Sequence, residues 1–296
     1  MISPIHRKPV IADGNATIYR SDHYNARIRE NEGVCRFGVD YMTNERGHTD
    51  ILGVRISALN MDLAVETIED WIKHREQHYV CICTVHTIME CQRSEQLRQT
   101  VNAAGLRTPD GMPLVWLSRR AGHDHVSRVY GPDLMLELCR RSGVAGHRHF
   151  FYGGGPGVVE TLVDRLTARF PDLDVAGIHT PGMLSSGELE TRETIDKINA
   201  SDADIVWVGL GAPKQDWWVA NHRALLNAPV LIAVGAAFDF HSGAIAQAPG
   251  WMQRNGLEWL FRLSQDPRRL WRRYVLDNSR FVIRLGLSTA RSWLPF

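Results

Sequence analysis

Between residues 51 and 234, short apolar runs alternate with stretches whose apolar residues recur every three or four positions. The pattern predicts a short strand over 51–56 (ILGVRI) and an amphipathic helix over 60–74, in which Leu63, Val65, Ile68, Trp71 and Ile72 share a face. Residues 79–85 (YVCICTV) are almost continuously apolar, as expected of a strand covered on both faces. A helix to about Ala104 follows, then helices over 112–120 and from Leu134 to Arg141. The same grammar continues with a strand at 149–152, a helix at 158–170, a strand at 175–178 and a helix at 188–200. A strand at 205–208, a helix from Lys214 and a strand at 230–234 complete it. Strands and helices alternating at this spacing predict an α/β fold, a Rossmann-like doubly wound and mostly parallel sheet with helices on both faces. A helical, Arg-rich C-terminal appendage is expected to follow, starting a helix at Asp266-Pro267.

The domain organisation read from this pattern is an extension over 1–48, an α/β core over 49–250 and an appendage over 251–296. The extension is polar, contains Pro4 and Pro9 and holds no sustained period, so it reads as poorly ordered. With 296 residues and 44% hydrophobic content the chain can bury a full core. A formal net charge of +1 offers no overall steering toward nucleic acid. The balance is uneven, however: from Trp251 to the end nine arginines stand against Glu258, Asp266 and Asp277, an excess that asks for an anionic partner. Wound as a helix, residues 267–287 gather Arg269, Arg273, Arg280 and Arg284 in one stripe beside Leu270, Trp271, Tyr274, Phe281, Val282 and Leu285. That arrangement suits a helix lying on an anionic membrane surface, and it also suits a helix packed on the core with a solvated arginine face. Five cysteines at irregular spacing point to a reducing compartment rather than a disulfide framework, and Cys81 and Cys83 read as core. There is no leader pattern at Met1 and no apolar run long enough to span a bilayer, so neither export nor a membrane span is expected.

Ligands of doubly wound sheets sit outside the carboxyl ends of the strands. Thr84, Asp110, Gly153 to Gly157, Gly209 to Gln215 and Gly235 to Asp239 fall at such ends. The most informative stretch is Ile205 to Trp218 (IVWVGLGAPKQDWW). Gly209 and Gly211 allow a sharp turn and close ligand approach. Pro213 precedes a helix whose free N–H groups face the place where phosphates bind, and Gln215 adds a neutral donor and acceptor. The same stretch also reads as a turn that only packs well. Pro109-Asp110-Gly111 is a turn signature, so Asp110 is either a turn carboxylate or one placed to accept a proton. Thr84 either caps a helix or touches a ligand. GGGPG at 153–157 is not G-x-G-x-x-G, and no acid ends the following strand at Ile178-His179-Thr180, which weighs against a nicotinamide dinucleotide. There is no Walker lysine and no H-E-x-x-H, and His86 and His241 read as loop or core histidines.

Six segments in order resemble the WecG/TagA/CpsF glycosyltransferases, glycosyltransferase family 26: TPDGMPLVW (108–116), VYGPDLM (129–135), FFYGGGPGVVE (150–160), IVWVGLGAPKQDWW (205–218), VGAAFDFHSG (234–243) and APGWMQRNGLEWLFRLSQDPRRLWRRY (248–274). The resemblance runs from about Leu52 to Tyr274. It implies inverting, metal-independent transfer of a sugar from a UDP-sugar onto a polyprenyl-diphosphate-linked sugar, in cell-surface polysaccharide assembly. It implies a cytoplasmic protein, peripheral on the inner face of the membrane. Asp110 matches the family's catalytic aspartate, and Thr84, Arg128 and Gln215 match its companions. Gly153, Gly154, Gly155, Gly209, Gly211, Pro213, Lys214 and Gly235 are assigned to the nucleotide-sugar. Arg262, Arg269, Arg272, Arg273, Arg280 and Arg284 are assigned to the acceptor diphosphate and the membrane. No cofactor, no metal and no nucleic acid are expected, and a homo-oligomer is left open. Two departures stand out: His86 replaces the family's usual Asn, and Asp216 its usual Glu.

An inverting transfer needs a base for the acceptor proton, a task a positioned carboxylate performs. The charge growing on a leaving diphosphate must be met by arginines and backbone N–H groups when no metal is present. Arg128 and the C-terminal arginines are the supply. A dinucleotide oxidoreductase and a non-catalytic nucleotide- or lipid-diphosphate-binding module remain the competing readings at this point.

Overall fold

The computed structural model describes residues 47–182 and 188–291. The reading of 1–46 as a poorly ordered extension and the tail 292–296 lie outside the described residues. The chain enters through a hairpin of β1 (His48–Ile51) and β2 (Val54–Ser57), paired antiparallel. A single strand over 51–56 was expected. Leu52 and Gly53 instead turn the chain at φ of 53° and 82°, and the first strand begins at His48, inside the segment read as an extension.

α1 (Met61–His74) starts where Asn60 accepts from Leu63 N at 3.0 Å, and it buries Val65, Ile68, Trp71 and Ile72. After β3 (His78–Cys83) the single expected helix is two, α2 (Val85–Arg93) and α3 (Glu95–Asn102). Ser94 divides them: its extended backbone ends α2, and its hydroxyl caps α3 by accepting from Leu97 N at 3.1 Å. β4 (Leu106–Pro109), α4 (Met112–Arg120) and α5 (Gly131–Ala145) follow. α5 opens earlier than expected because Gly131-Pro132 begin it, where a proline's missing N–H costs least. Then come β5 (Arg148–Gly153), α6 (Val158–Arg169), β6 (Asp174–His179), α7 (Arg192–Ala200), β7 (Ile205–Gly209), α8 (Lys214–His222), β8 (Val230–Ala233) and α9 (Ala237–Ser242). α7 is shorter than the expected 188–200 because Thr191 caps it, accepting from Thr194 N.

Six strands form one sheet in the order β4-β3-β8-β7-β5-β6, every neighbouring pair parallel. Alternate residues along each strand feed two cores, one per face. In β7, Ile205 and Trp207 join Ile68, Leu138 and Leu162, whereas Val206 and Val208 join Ile88, Trp218 and Val219. Helices thus cover both faces of a doubly wound sheet. Its central strands have no solvent face, which is why they read as unbroken apolar runs. The four cysteines in the described residues are buried and free.

The C-terminal segment is helical: α10 (Gly250–Arg254), α11 (Glu258–Gln265), α12 (Pro267–Trp271), a π-helical turn (Arg272–Leu276) and α13 (Asp277–Arg291). The π turn corrects the helical-wheel expectation. It takes up extra chain and shifts the register of everything after it; Arg269, Arg273 and Arg280 still line one cavity, while Arg284 does not. Arg273 turns inward, and Arg284 donates to Gln92 Oε1 at 3.1 Å. The expected apolar face divides likewise. Leu270 and Phe281 are buried, Phe281 in the same core as Ile88 and Met89, while Trp271 and Val282 are exposed. Among the described residues no helix is long and apolar enough to cross a membrane.

Candidate active site

Because every strand of the sheet runs the same way, all six carboxyl ends share one edge. A cavity of about 1660 Å³ opens over it, roofed by the C-terminal helices. A site for one drug-sized ligand usually measures ~300–1,000 Å³, so this one has room for two substrates side by side.

Asp110 leaves the end of β4 buried, its N–H donating to Cys83 O at 3.0 Å and so tying it to the end of β3. Arg128 holds the carboxylate. Its Nε donates to Oδ1 at 3.1 Å and to the backbone O at 2.6 Å, and Nη2 donates to Oδ1 at 2.9 Å. Nη2 also donates to Glu258 Oε2 at 2.6 Å, and the Tyr130 hydroxyl donates to Glu258 Oε1 at 2.9 Å. Arg128 lies over the Tyr130 ring, 4.0 Å from its centre. Burial pushes the Asp110 carboxyl up to about 6; Arg128 opposes this and Glu258 adds to it. Burial works against the Arg128 charge, but Asp110 and Glu258 outweigh it and leave the guanidinium firmly protonated. Arg128 is thus engaged by two carboxylates, which makes it the support of Asp110 more than an open anion receptor.

Thr84 does both things the sequence allowed. It caps α2 in a reciprocal box with Thr87, accepting from Thr87 N at 3.3 Å, and it lines the cavity. Gln215 is 2% exposed, and its Oε1 accepts from Gly211 N at 3.1 Å and from Gly235 N at 2.8 Å. It therefore braces two glycine turns against each other, where sequence reasoning saw only a free donor and acceptor.

The glycines separate into two kinds. Gly154, Gly155, Gly209, Gly211 and Gly235 line the cavity together with Lys214. Gly153 does not: at φ 125° it packs on the neighbouring strand, where an added Cβ would lie 2.6 Å from Gly209 O. Pro213 also stands outside the lining, and Lys214 opens α8 just after it. Gly153 and Pro213, also assigned to the nucleotide-sugar, thus stand in the turns beside the lining.

The opposite wall carries charge from the C-terminal helices: Arg262, Arg269, Arg272, Arg273 and Arg280 line the cavity, while Arg284 does not. Arg269 is paired with Asp266 at 2.7 Å. Arg262, Arg272, Arg273 and Arg280 make no ion pair among the described residues. Arg262 and Arg273 lie over the rings of Phe240 and Tyr274, at 5.3 and 5.8 Å. Arg273 Nε is buried without a hydrogen-bond partner. Burial depresses the Arg273 guanidinium, and Arg262 adds to that. A buried cation without a carboxylate is a place for an anion.

Two participants escaped sequence reasoning. Glu258 and Asp277 were counted only as exceptions to the basic excess, yet one supports Arg128 and the other, 3% exposed, accepts from Arg93 Nη2 and lies 3.1 Å from His86 Nδ1. Their rarity among the arginines was the available signal. His86, read as a loop or core histidine and also singled out as replacing the family's asparagine, lines the cavity. His86, Glu90 and Asp277 present ligand-type atoms within 4.8 Å of one another, a grouping not visible in the sequence, and Arg93 donates to both of its carboxylates.

Comparison with known proteins matches residues 49–293 to the model of the glycosyl transferase WecG/TagA/CpsF family. The chain is similar to an N-acetylglucosaminyldiphosphoundecaprenol N-acetyl-beta-D-mannosaminyltransferase of Bacillus spizizenii, 33% identical over 186 residues, which is 63% of this chain and 70% of the relative. Proteins of the same name from Bacillus subtilis and Staphylococcus aureus are 29% identical over 225 residues and 27% identical over 233 residues. These two alignments cover 73% and 77% of this chain, and 85% and 90% of the relatives.

Proposed function

The chain belongs to the WecG/TagA/CpsF family of glycosyltransferases, and on that footing we propose that it transfers a sugar from a UDP-sugar to a polyprenyl-diphosphate-linked sugar, with inversion and without a metal. The product would enter a cell-surface polymer. The relatives' names support the acceptor class, since they act on N-acetylglucosaminyldiphosphoundecaprenol. Membership of a glycosyltransferase family leaves the oxidoreductase reading without support.

The observation that carries this reading is the opposition of two walls. On one side is a buried carboxylate with a raised pKa, held through a single oxygen by Arg128. On the other is Arg273, half-buried in the cavity wall, its Nε buried without a partner. The first is a base, the second an anion site.

In the reaction proposed, Oδ2 of Asp110 takes the proton of the acceptor hydroxyl as that oxygen attacks the anomeric carbon. The bond from that carbon to the UDP oxygen breaks on the opposite face, and the electron pair leaves with the diphosphate. Lys214 lines the cavity at the start of α8 and meets that growing charge, where a helix start favours anions; the next three N–H groups are already taken by Gly211 O and Pro213 O. Gln215 keeps the two glycine turns apart by a fixed distance, so little reorganisation is needed as charge develops. Arg262, Arg272 and Arg273 receive the acceptor's own diphosphate. The exposed Val282, Ile283 and Leu287 of α13 meet a membrane surface, with Arg280 and Arg284 at the level of its anionic headgroups.

Incubation of the protein with a panel of UDP-sugars and a lipid-diphosphate-sugar tests this directly. The expected outcome is a one-sugar mass gain of the lipid with one or few donors. No gain with any donor contradicts it.

A further inference from the structure

His86 sits in the first turn of α2, just past Thr84, and lines the cavity. Its Nδ1 lies 3.1 Å from Oδ2 of Asp277, at the start of α13. Asp277 is 3% exposed and accepts from Arg93 as well. Burial pushes its carboxyl up, but the hydrogen bonds from Arg93 and His86 outweigh burial and leave it below its ordinary value. It is therefore an acceptor only, and Nδ1 must carry the hydrogen between them. The imidazole itself is kept neutral: burial lowers its pKa and Arg273 adds to that, against the pull of Asp277 and Glu90. A neutral imidazole with Nδ1 protonated has a lone pair on Nε2. No protein donor meets Nε2 among the described residues.

The sheet order decides which substrate this lone pair meets. The glycine-rich ends of β8, β7 and β5 are adjacent and line the cavity on the side assigned above to the nucleotide. β4 and β3 lie at the other edge, and their ends, carrying Asp110 and Thr84, are joined by the bond from Asp110 N to Cys83 O. If Asp110 deprotonates the acceptor hydroxyl, the acceptor sugar lies over β3 and β4, beside His86.

We infer that His86 determines specificity for the acceptor sugar, with Nε2 accepting a hydrogen bond from a hydroxyl other than the attacking one. Asp277 is the positioning residue that fixes the tautomer. The inference rests on the glycosyl-transfer reading above. An asparagine at this position offers an N–H donor as well as an acceptor, whereas a histidine held in this way only accepts. The C-terminal helix thereby completes a selective element of the core, through a contact spanning 191 residues of sequence.

The test uses soluble short-chain lipid-diphosphate-sugars, intact and with each sugar hydroxyl replaced in turn by hydrogen or by fluorine. The wild-type protein should lose about ten- to a hundred-fold in kcat/KM on the hydrogen and fluorine analogues at one position, the range for a buried group left unpaired. His86→Ala should lose a similar factor on the intact acceptor and nothing further on those two analogues. His86→Asn, able to donate, should tolerate the fluorine analogue at that position, where two acceptors face each other in the wild type. This comparison decides the matter even if His86→Ala folds poorly. Asp277→Asn should weaken discrimination at that same position and add nothing in the His86→Ala background. An equal loss on every acceptor in all three variants overturns the inference and makes the pair purely structural. Absence of any transfer by the wild type overturns the functional reading and this inference with it, so the two failures are told apart.

Discussion

Both nitrogens that Arg128 presents to the Asp110 carboxylate donate to the same oxygen, Oδ1, from Nε at 3.1 Å and from Nη2 at 2.9 Å. Oδ2 has no protein partner among the described residues. The pairing selects which oxygen is available to a substrate proton. It also has a cost in basicity, since a guanidinium stabilises the charged form. Burial and the carboxylate of Glu258 work in the other direction and bring Asp110 to about 6. The result is a base that is ionised at neutral pH and still close enough to it to accept a proton.

The pH profile of kcat/KM should therefore show an acid limb near 6, activity falling as pH drops and Asp110 is protonated. Glu258 raises that value, so Glu258→Gln should move the limb to lower pH, by up to about one unit. An unchanged limb in the variant would mean that another group titrates there.

The C-terminal arginines should separate into two classes. Arg273→Ala should lower kcat on a soluble short-chain acceptor at least ten-fold, about 1.4 kcal/mol in the barrier, because Arg273 lines the cavity and has no carboxylate paired to it among the described residues. Arg284→Ala should leave that rate within about two-fold, a surface contact being worth little, since Arg284 lies outside the cavity and reaches Gln92. Equal losses in both variants would contradict the division into cavity and surface arginines.

What could be read from the sequence follows from where the forces are local. The strands of the parallel sheet were legible because burial on both faces leaves no polar position in Ile205–Val208 or Val230–Ala233. The hairpin at Leu52-Gly53 was hidden because ILGVRI is apolar almost throughout and its turn needs only two residues of positive φ. The break at Ser94 was hidden because apolar residues continue across it. The π turn was hidden because a helical wheel assumes one fixed angle per residue. The placement of Asp110 and Thr84 at the cavity was legible because each directly follows a strand, and that of Gln215 because it stands in the first turn of the helix after one. Glu258 and Asp277 were not, because their roles depend on partners 130 and 191 residues away.

Asp216 is 1% exposed, and no well-aligned donor meets either of its oxygens; only the weak S–H of Cys81 and its own backbone N–H act on the carboxyl. Burial pushes its carboxyl up to about 7 from 3.8, with the Cys81 thiol pulling weakly the other way. The sign is that of an acid raised by folding. Below the unfolded value both states are protonated and the group has no effect. Between about 4 and 7 the folded state holds the extra proton, so stability falls as pH rises, and above 7 the cost is complete. Asp216→Asn should therefore gain on the wild type as pH rises from 4 to 8, each kcal/mol relieved raising Tm by about 2–4 °C. A difference in Tm that does not change with pH would contradict the assignment.

Chelation should leave turnover unchanged. His86, Glu90 and Asp277 come within 4.8 Å of one another, but Arg93 donates to both carboxylates and supplies the cation they need. Full loss of activity in EDTA, restored by magnesium or manganese, would contradict this and move the charge-stabilising role away from arginine.

The most direct test of the account compares the wild type with Asp110→Asn in sugar transfer to a lipid-diphosphate-sugar, read as mass gain of the lipid, with UDP binding measured on the same samples by calorimetry. Asparagine keeps the shape of the side chain and can still accept from Arg128, but it cannot take the acceptor proton. The account predicts that turnover falls by at least about 10²-fold, the lower end for loss of a general base, while UDP affinity and melting temperature stay near the wild-type values. A variant that retained most of its kcat would show that Asp110 is a turn carboxylate and that the base lies elsewhere.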